Sequence, residues 1–198
     1  MEALLVSTGV VALAEIGDKT QLLAFILAAR FKKPWPIVAG ILVATVLNHG
    51  LAGALGAWIT TLLSPTTLRW TLAALFIGMA VWTMVPDKLD ESEARVATRW
   101  GVFGTTLAAF FLAEMGDKTQ IATVALAAHY ASAATAVSAY WVIAGTTLGM
   151  LVADVPAVFA GQKLASRIPM RWIHGAAACI FVALAVATVM GAGAQLGF

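Results

Sequence analysis

Charge is scarce in this sequence. Lys, Arg, Asp and Glu make up 11% of 198 residues, against 61% hydrophobic residues and a mean hydropathy of +0.91. So small a charged share excludes an ordinary soluble domain, in which about 25% of residues are charged. There is one cysteine, Cys179, which excludes a disulfide within the chain and reads as a buried or lipid-facing thiol. No basic segment precedes the first apolar stretch and no cleavage site follows it, so that stretch reads as a retained span and not a signal peptide. His-Glu-x-x-His, Gly-x-Ser-x-Gly and a catalytic Cys/His pairing are all missing, so the chain is not expected to be an enzyme. No nucleic-acid partner is expected.

What the chain has in abundance is apolar sequence of membrane-spanning length. Such stretches fall at 3–29, 36–63, 66–85, 101–128, 135–162 and 172–194. The expected fold is an all-α membrane protein with six transmembrane helices in a lipid bilayer. The basic residues are unevenly placed. Arg30, Lys32 and Lys33, then Lys88, Arg95 and Arg99, then Lys163, Arg167 and Arg171 follow the odd-numbered stretches, and Arg69 alone lies on the other side. The positive-inside rule then puts both termini outside the cytoplasm. Trp35, Trp70, Trp100 and Trp172 sit at stretch ends, as interfacial anchors do.

Against this background, two short charged motifs stand out. Glu-Ile-Gly-Asp-Lys-Thr-Gln at Glu15 to Gln21 recurs as Glu-Met-Gly-Asp-Lys-Thr-Gln at Glu114 to Gln120, each inside an apolar stretch. A charge at the centre of a membrane helix costs ~2.5–3.5 kcal/mol on insertion scales. Six unpaired charges would cost roughly 15–20 kcal/mol, more than the stability of a typical domain. The charges must therefore meet each other, water or a bound ion, and two matching acidic motifs read as a cation site in a small transporter.

The two halves match beyond the motifs: Leu27-Ala28-Ala29 with Leu126-Ala127-Ala128, and Arg69-Trp70 with Arg171-Trp172. Three spans per half is an odd number, so the second half must enter the membrane from the opposite side. This gives an inverted repeat of the kind whose substrate site lies near the bilayer midplane. The expected organisation is a first three-helix repeat over 1–85, a cytoplasmic linker over 86–100 and a second, inverted three-helix repeat over 101–198. The linker carries Asp87, Asp90, Glu91 and Glu93 beside Lys88, Arg95 and Arg99 and reads as a solvated connector.

On a continuous helix, residues three and four apart share a face, which groups Glu15, Asp18, Lys19 and Leu22, and likewise Glu114 with Asp117. Gly17 and Gly116 permit either close helix approach or a local break that frees backbone carbonyls. Thr20, Gln21, Thr119 and Gln120 add neutral oxygens as possible further ligands. An all-oxygen set suits Mn²⁺, Ca²⁺ or Mg²⁺ rather than a thiolate-seeking metal. Four carboxylates balanced by Lys19 and Lys118 leave a charge that one divalent cation, or two protons, would neutralise, so proton exchange is the expected coupling.

Other polar residues extend the candidate site. Asp154, shortly before Pro156, reads as a ligand or a proton relay. Asn48 reads as a ligand or an interhelical hydrogen-bonding group. His49 reads as a group that titrates near neutral pH or, the preferred reading, as a satisfied packing histidine. Gly50, Gly53 and Gly56, and Gly145 with Gly149, read as surfaces for close helix contact. Ser7, Thr8, Thr105 and Thr106 are placed to line an access path.

Glu-x-Gly-Asp-Lys-Thr, once in each half, resembles the cation/proton antiporter family that includes bacterial manganese exporters and the Golgi and chloroplast manganese and calcium transporters. The resemblance covers the whole chain. It implies export of Mn²⁺, with Ca²⁺ as the other candidate, from the cytoplasm in exchange for protons, with no cofactor. It further implies that Glu15, Asp18, Glu114 and Asp117 bind the ion in a multi-pass protein of the bacterial inner membrane. A small amino-acid exporter of related architecture is the alternative, though an α-carboxylate substrate would not favour four clustered carboxylates. A membrane-embedded hydrolase is a more distant one.

Overall fold

The computed structural model describes residues 1–85, 100–133, 137–160 and 170–191. Among these the chain is all α, with eight helices: α1 Glu2–Glu15, α2 Lys19–Phe31, α3 Pro34–Leu62, α4 Pro65–Thr83, α5 Gly101–Glu114, α6 Lys118–Ala133, α7 Val137–Ala160 and α8 Met170–Met190. The linker 86–99 and the basic residues Lys163 and Arg167 lie outside the described residues.

Helix starts follow local chemistry. Pro34 and Pro65 open α3 and α4, where the missing N–H costs nothing, and the Ser64 hydroxyl accepts from the Thr67 N–H at 3.2 Å as an N-cap. Among the described residues, α3, Ser138–Phe159 of α7 and Arg171–Met190 of α8 are each long and apolar enough to cross a membrane. By contrast, the first and fourth apolar stretches each hold two helices instead of one. At 14 and 13 residues, α1 and α2 rise only ~20 Å apiece, short of a hydrocarbon core of about 30 Å.

Polarity is arranged inside out. Trp35, Leu51, Val81, Tyr140 and Trp172 are exposed, whereas Glu15, Asp18, Glu114, Asp117, Lys118 and Asp154 are buried. An apolar exterior around a charged interior is stable only where the surroundings are themselves apolar. Cys179 is on the outer face, the lipid-facing alternative. The four span-end tryptophans are likewise exposed, as interfacial anchors require.

The halves are interlocked. α1 packs on α7, α5 packs on α3, and α4 packs on α8. Glycine makes the first two contacts close. A Cβ at Gly40 would fall 2.7 Å from the Thr106 Cβ, and one at Gly145 would fall 2.9 Å from the Ser7 Cβ. Gly53, Gly56 and Gly149 also face neighbouring helices, as expected, but Gly50 has nothing within 4 Å. Gly50 lies off the contact stripe of α3, so its spacing from Gly53 misleads.

Candidate cation site at two helix breaks

Each motif is a helix interruption. α1 ends at Glu15, α2 begins at Lys19, and Gly17 between them has φ +89°; α5 ends at Glu114, α6 begins at Lys118, and Gly116 has φ +78°. Both glycines occupy the left-handed region, which costs other L-residues roughly 1–2 kcal/mol. Of the two readings of these glycines, the local break is the one realised. The assumption of one continuous helical face therefore fails, and Leu22 lies 40% exposed, away from the acids.

The rest of the motif holds the break together. The Gly17 N–H donates to Gln21 Oε1 at 3.1 Å, and the Gly116 N–H donates to Gln120 Oε1 at 2.8 Å. The Thr20 hydroxyl donates to Glu15 Oε2 at 2.6 Å, and the Thr119 hydroxyl donates to Glu114 Oε2 at 2.7 Å. Each glutamate is thereby fixed by one oxygen. Oε1 of Glu15 and Oε1 of Glu114 are buried with no hydrogen-bond partner among the described residues. Buried polar atoms are nearly always satisfied, so these two carboxylate oxygens are available to a ligand. The glutamine oxygens, expected as possible ligands, are instead committed to backbone N–H groups.

The glutamine amides tie each break to the other half. Gln21 Nε2 donates to the Ala153 carbonyl of α7 at 2.9 Å, and Gln120 Nε2 donates to Asn48 Oδ1 of α3 at 3.2 Å. Asn48 Nδ2 donates in turn to the Phe111 carbonyl at 3.1 Å. Asn48 thus takes the interhelical hydrogen-bonding role of the two open to it.

These constraints bring acids from both halves to one point. Glu15, Glu114 and Asp117 each offer a carboxylate oxygen within 4.8 Å of the others. Asp18 lies beside Lys118, with Nζ 2.8 Å from Oδ1 and both side chains almost fully buried. Lys19 is only partly buried. The helix ends add their own polarity: the C-termini of α1 and α5 present carbonyls, which favour cations, and broken helices often frame ion sites in this way. Three oxygen donors from two interrupted helices can hold a hard divalent cation.

Other residues fall outside this group. The Thr8 and Thr106 hydroxyls donate to the Leu4 and Val102 carbonyls of their own helices. His49 is buried, but both its ring nitrogens are without partners among the described residues, so it is not the satisfied histidine expected. Asp154 is buried with both oxygens in the same condition. Sequence reasoning passed over His174 of α8, whose Nε2 lies 3.2 Å from the Ile16 carbonyl within the first break. The pairing of Arg69-Trp70 with Arg171-Trp172 sets Leu72 against His174, and that polar-for-apolar exchange is the signal that could have singled it out.

The fold and the site together define a class, an all-α membrane transporter that gathers buried acids from paired helix breaks. The family model described as "Divalent cation/proton antiporter GDT1" matches residues 3–91 and 102–195, and the chain belongs to that family. It is a membrane protein that transports cations, not an enzyme. A Vibrio cholerae protein named "Putative manganese exporter" is 50% identical over 188 residues, covering 95% of this chain and 90% of that protein. GDT1-like protein sll0615 of Synechocystis is 30% identical, covering 89% of this chain and 91% of its own length. GDT1-like protein 3 of Oryza sativa subsp. japonica is 31% identical, covering 94% of this chain and 73% of its own length. No solved structure matches the chain.

Proposed function

We propose that this transporter exports Mn²⁺ from the cytoplasm in exchange for protons, with Glu15, Glu114 and Asp117 holding the ion and Asp18 beside them. The observation that carries this reading is the convergence of those three carboxylates from two matching breaks. Oxygen donors accept Ca²⁺ as well as Mn²⁺; the name of the Vibrio cholerae relative favours Mn²⁺. Proton coupling follows from the chemistry of the site. Carboxylates crowded in a low dielectric cannot all remain charged once the cation leaves, so protons and metal compete for the same oxygens.

The architecture proposed is six spans in two inverted three-helix repeats, over 1–85 and 101–198, joined by a cytoplasmic linker over 86–100. The break between the two family matches, 3–91 and 102–195, falls largely within this linker. Helix contacts support the inversion. Along α3, Gly40 meets Phe103 and Thr106 of α5 while Asn48 meets Phe111, so α3 and α5 run in the same direction. Along α7, Gly145 meets Leu4 and Ser7 while Gly149 meets Thr8 and Ala12, so α7 and α1 do likewise. Since α3 returns from α2 through a two-residue turn, the two halves point opposite ways. The inner membrane is the location proposed, with both termini extracytoplasmic.

Mn²⁺ flux in proteoliposomes tests the reading, with Ca²⁺ and Mg²⁺ as comparators. Asp117→Asn is expected to abolish flux in a folded, inserted protein, and Asp18→Asn to abolish flux with a loss of stability as well, because it removes the partner of the buried Lys118 ammonium. Wild-type Mn²⁺ flux in Asp117→Asn would place the site elsewhere.

A further inference from the structure

The register between α3 and α7 follows from their contacts. Gly40 packs on Phe103 and Thr106, and Gly145 packs on Leu4 and Ser7. Phe103 and Thr106 stand the same distance before the second motif as Leu4 and Ser7 stand before the first, so Gly40 corresponds to Gly145. The same register matches Asn48 with Ala153, the two residues that receive the Gln120 and Gln21 amides. One step further it matches His49 with Asp154. The two halves therefore differ in charge at a buried position next to a residue that touches the motif.

Asp154 lacks any structural explanation for its charge. It is completely buried in a long apolar helix, and neither carboxylate oxygen has a hydrogen-bond partner among the described residues. Its carboxyl group is within electrostatic reach of Asp18, Glu15 and Glu114. The Gln21 bond to the Ala153 carbonyl anchors this turn of α7 to the first break. Pro156, two residues on, leaves the Val152 carbonyl without its helical N–H donor and adds to the polarity of the turn. A buried carboxylate without a protein partner is tolerated where a cation completes it.

We propose that Asp154 is a further ligand for the transported divalent cation, one that makes the two halves of the site inequivalent. The first-motif side gains a carboxylate from α7, whereas the second-motif side has the His49 imidazole at the matching position. This rests on the reading that the motif carboxylates hold the cation.

The test is equilibrium binding of Mn²⁺ to the full-length protein in detergent, together with its metal-free melting temperature, for wild type, Asp154→Asn, Asp154→Glu and Asp117→Asn. The expected result is a loss of about tenfold or more in Mn²⁺ affinity for Asp154→Asn, with Asp154→Glu keeping more affinity than the amide. Metal-free Asp154→Asn should melt no lower than wild type, because a near-isosteric neutral group replaces a buried charge without a partner. If Asp154→Asn titrates like wild type while Asp117→Asn loses binding, Asp154 is not a ligand and the motif site stands. If Asp117→Asn also titrates like wild type, the motif site itself fails, and this proposal with it. If metal-free Asp154→Asn melts below wild type and neither it nor Asp154→Glu binds Mn²⁺, the role is structural and the proposal is overturned.

Discussion

The Lys118 ammonium stands 2.8 Å from the Asp18 carboxylate, so the second motif supplies a counter-charge to the first. Both groups are buried, and removing one partner of such a pair leaves an uncompensated charge costing about 3–5 kcal/mol. Metal-free Lys118→Gln should lose stability of that order at neutral pH. It should lose less at acid pH, where a proton can replace the missing ammonium. With one positive charge fewer, protons compete harder for the site, so Mn²⁺ binding should require a higher pH than in wild type. Unfolding and Mn²⁺ titrations across pH 5–8 check both; an unchanged pH profile would remove Lys118 from the charge balance.

A second expectation concerns the breaks. A Cβ at Gly116 would meet nothing within 4 Å, so the cost of Gly116→Ala comes from its φ of +78° alone. That cost is about 1–2 kcal/mol, and relieving it would turn Glu114 away from Asp117. Gly116→Ala should therefore lower both the melting temperature and the Mn²⁺ affinity. Gly116→Asn, which tolerates the left-handed region better, should lie between alanine and wild type. Equal behaviour of the two variants would show that backbone conformation is not the cause.

Packing gives a third. Gly40→Val would drive a side chain into Thr106 and the Phe103 carbonyl, an overpacking penalty of about 1–3 kcal/mol. Gly50 faces open space, so Gly50→Ala should be neutral or gain up to ~1 kcal/mol of helix propensity. Melting temperatures of the two variants decide the matter. A destabilised Gly50→Ala alongside an unaffected Gly40→Val would contradict the α3–α5 interface.

The doubled motif makes the candidate site's residues legible in the sequence, because apolar segments have little other reason to carry the same three charges twice over. Less legible is how they meet. Spacing of three and four implies one face only on a continuous helix, and Gly17 allows two local conformations, so the surroundings of Leu22 and Gln21 do not follow from sequence. Glutamine and asparagine carry both donors and acceptors, and only tertiary packing decides that Gln120 bonds Asn48 and Gln21 bonds the Ala153 carbonyl. The bounds of the long apolar helices α3, α7 and α8 are legible to within a few residues, because hydropathy sets them. The interruption in the first and fourth stretches is not, because a half-helix pair has the same hydropathy as a whole helix.

Orientation gives a fourth expectation. Reporter fusions at the carboxyl terminus should report an extracytoplasmic location, and reporters inserted at 86–100 a cytoplasmic one, as the basic-residue bias requires. A cytoplasmic carboxyl terminus would contradict the proposed topology.

Proton coupling is the central claim, and one flux experiment tests it most directly. In liposomes carrying the full-length protein with an acidic lumen, external Mn²⁺ should accumulate inside while the lumen alkalinises in response to Mn²⁺, and collapsing the pH gradient beforehand should abolish both. Carboxylates that alternately hold metal and protons require this exchange. Mn²⁺ entry that proceeds equally with and without the pH gradient, and leaves luminal pH unchanged, would contradict the antiport account and favour a uniporter or channel.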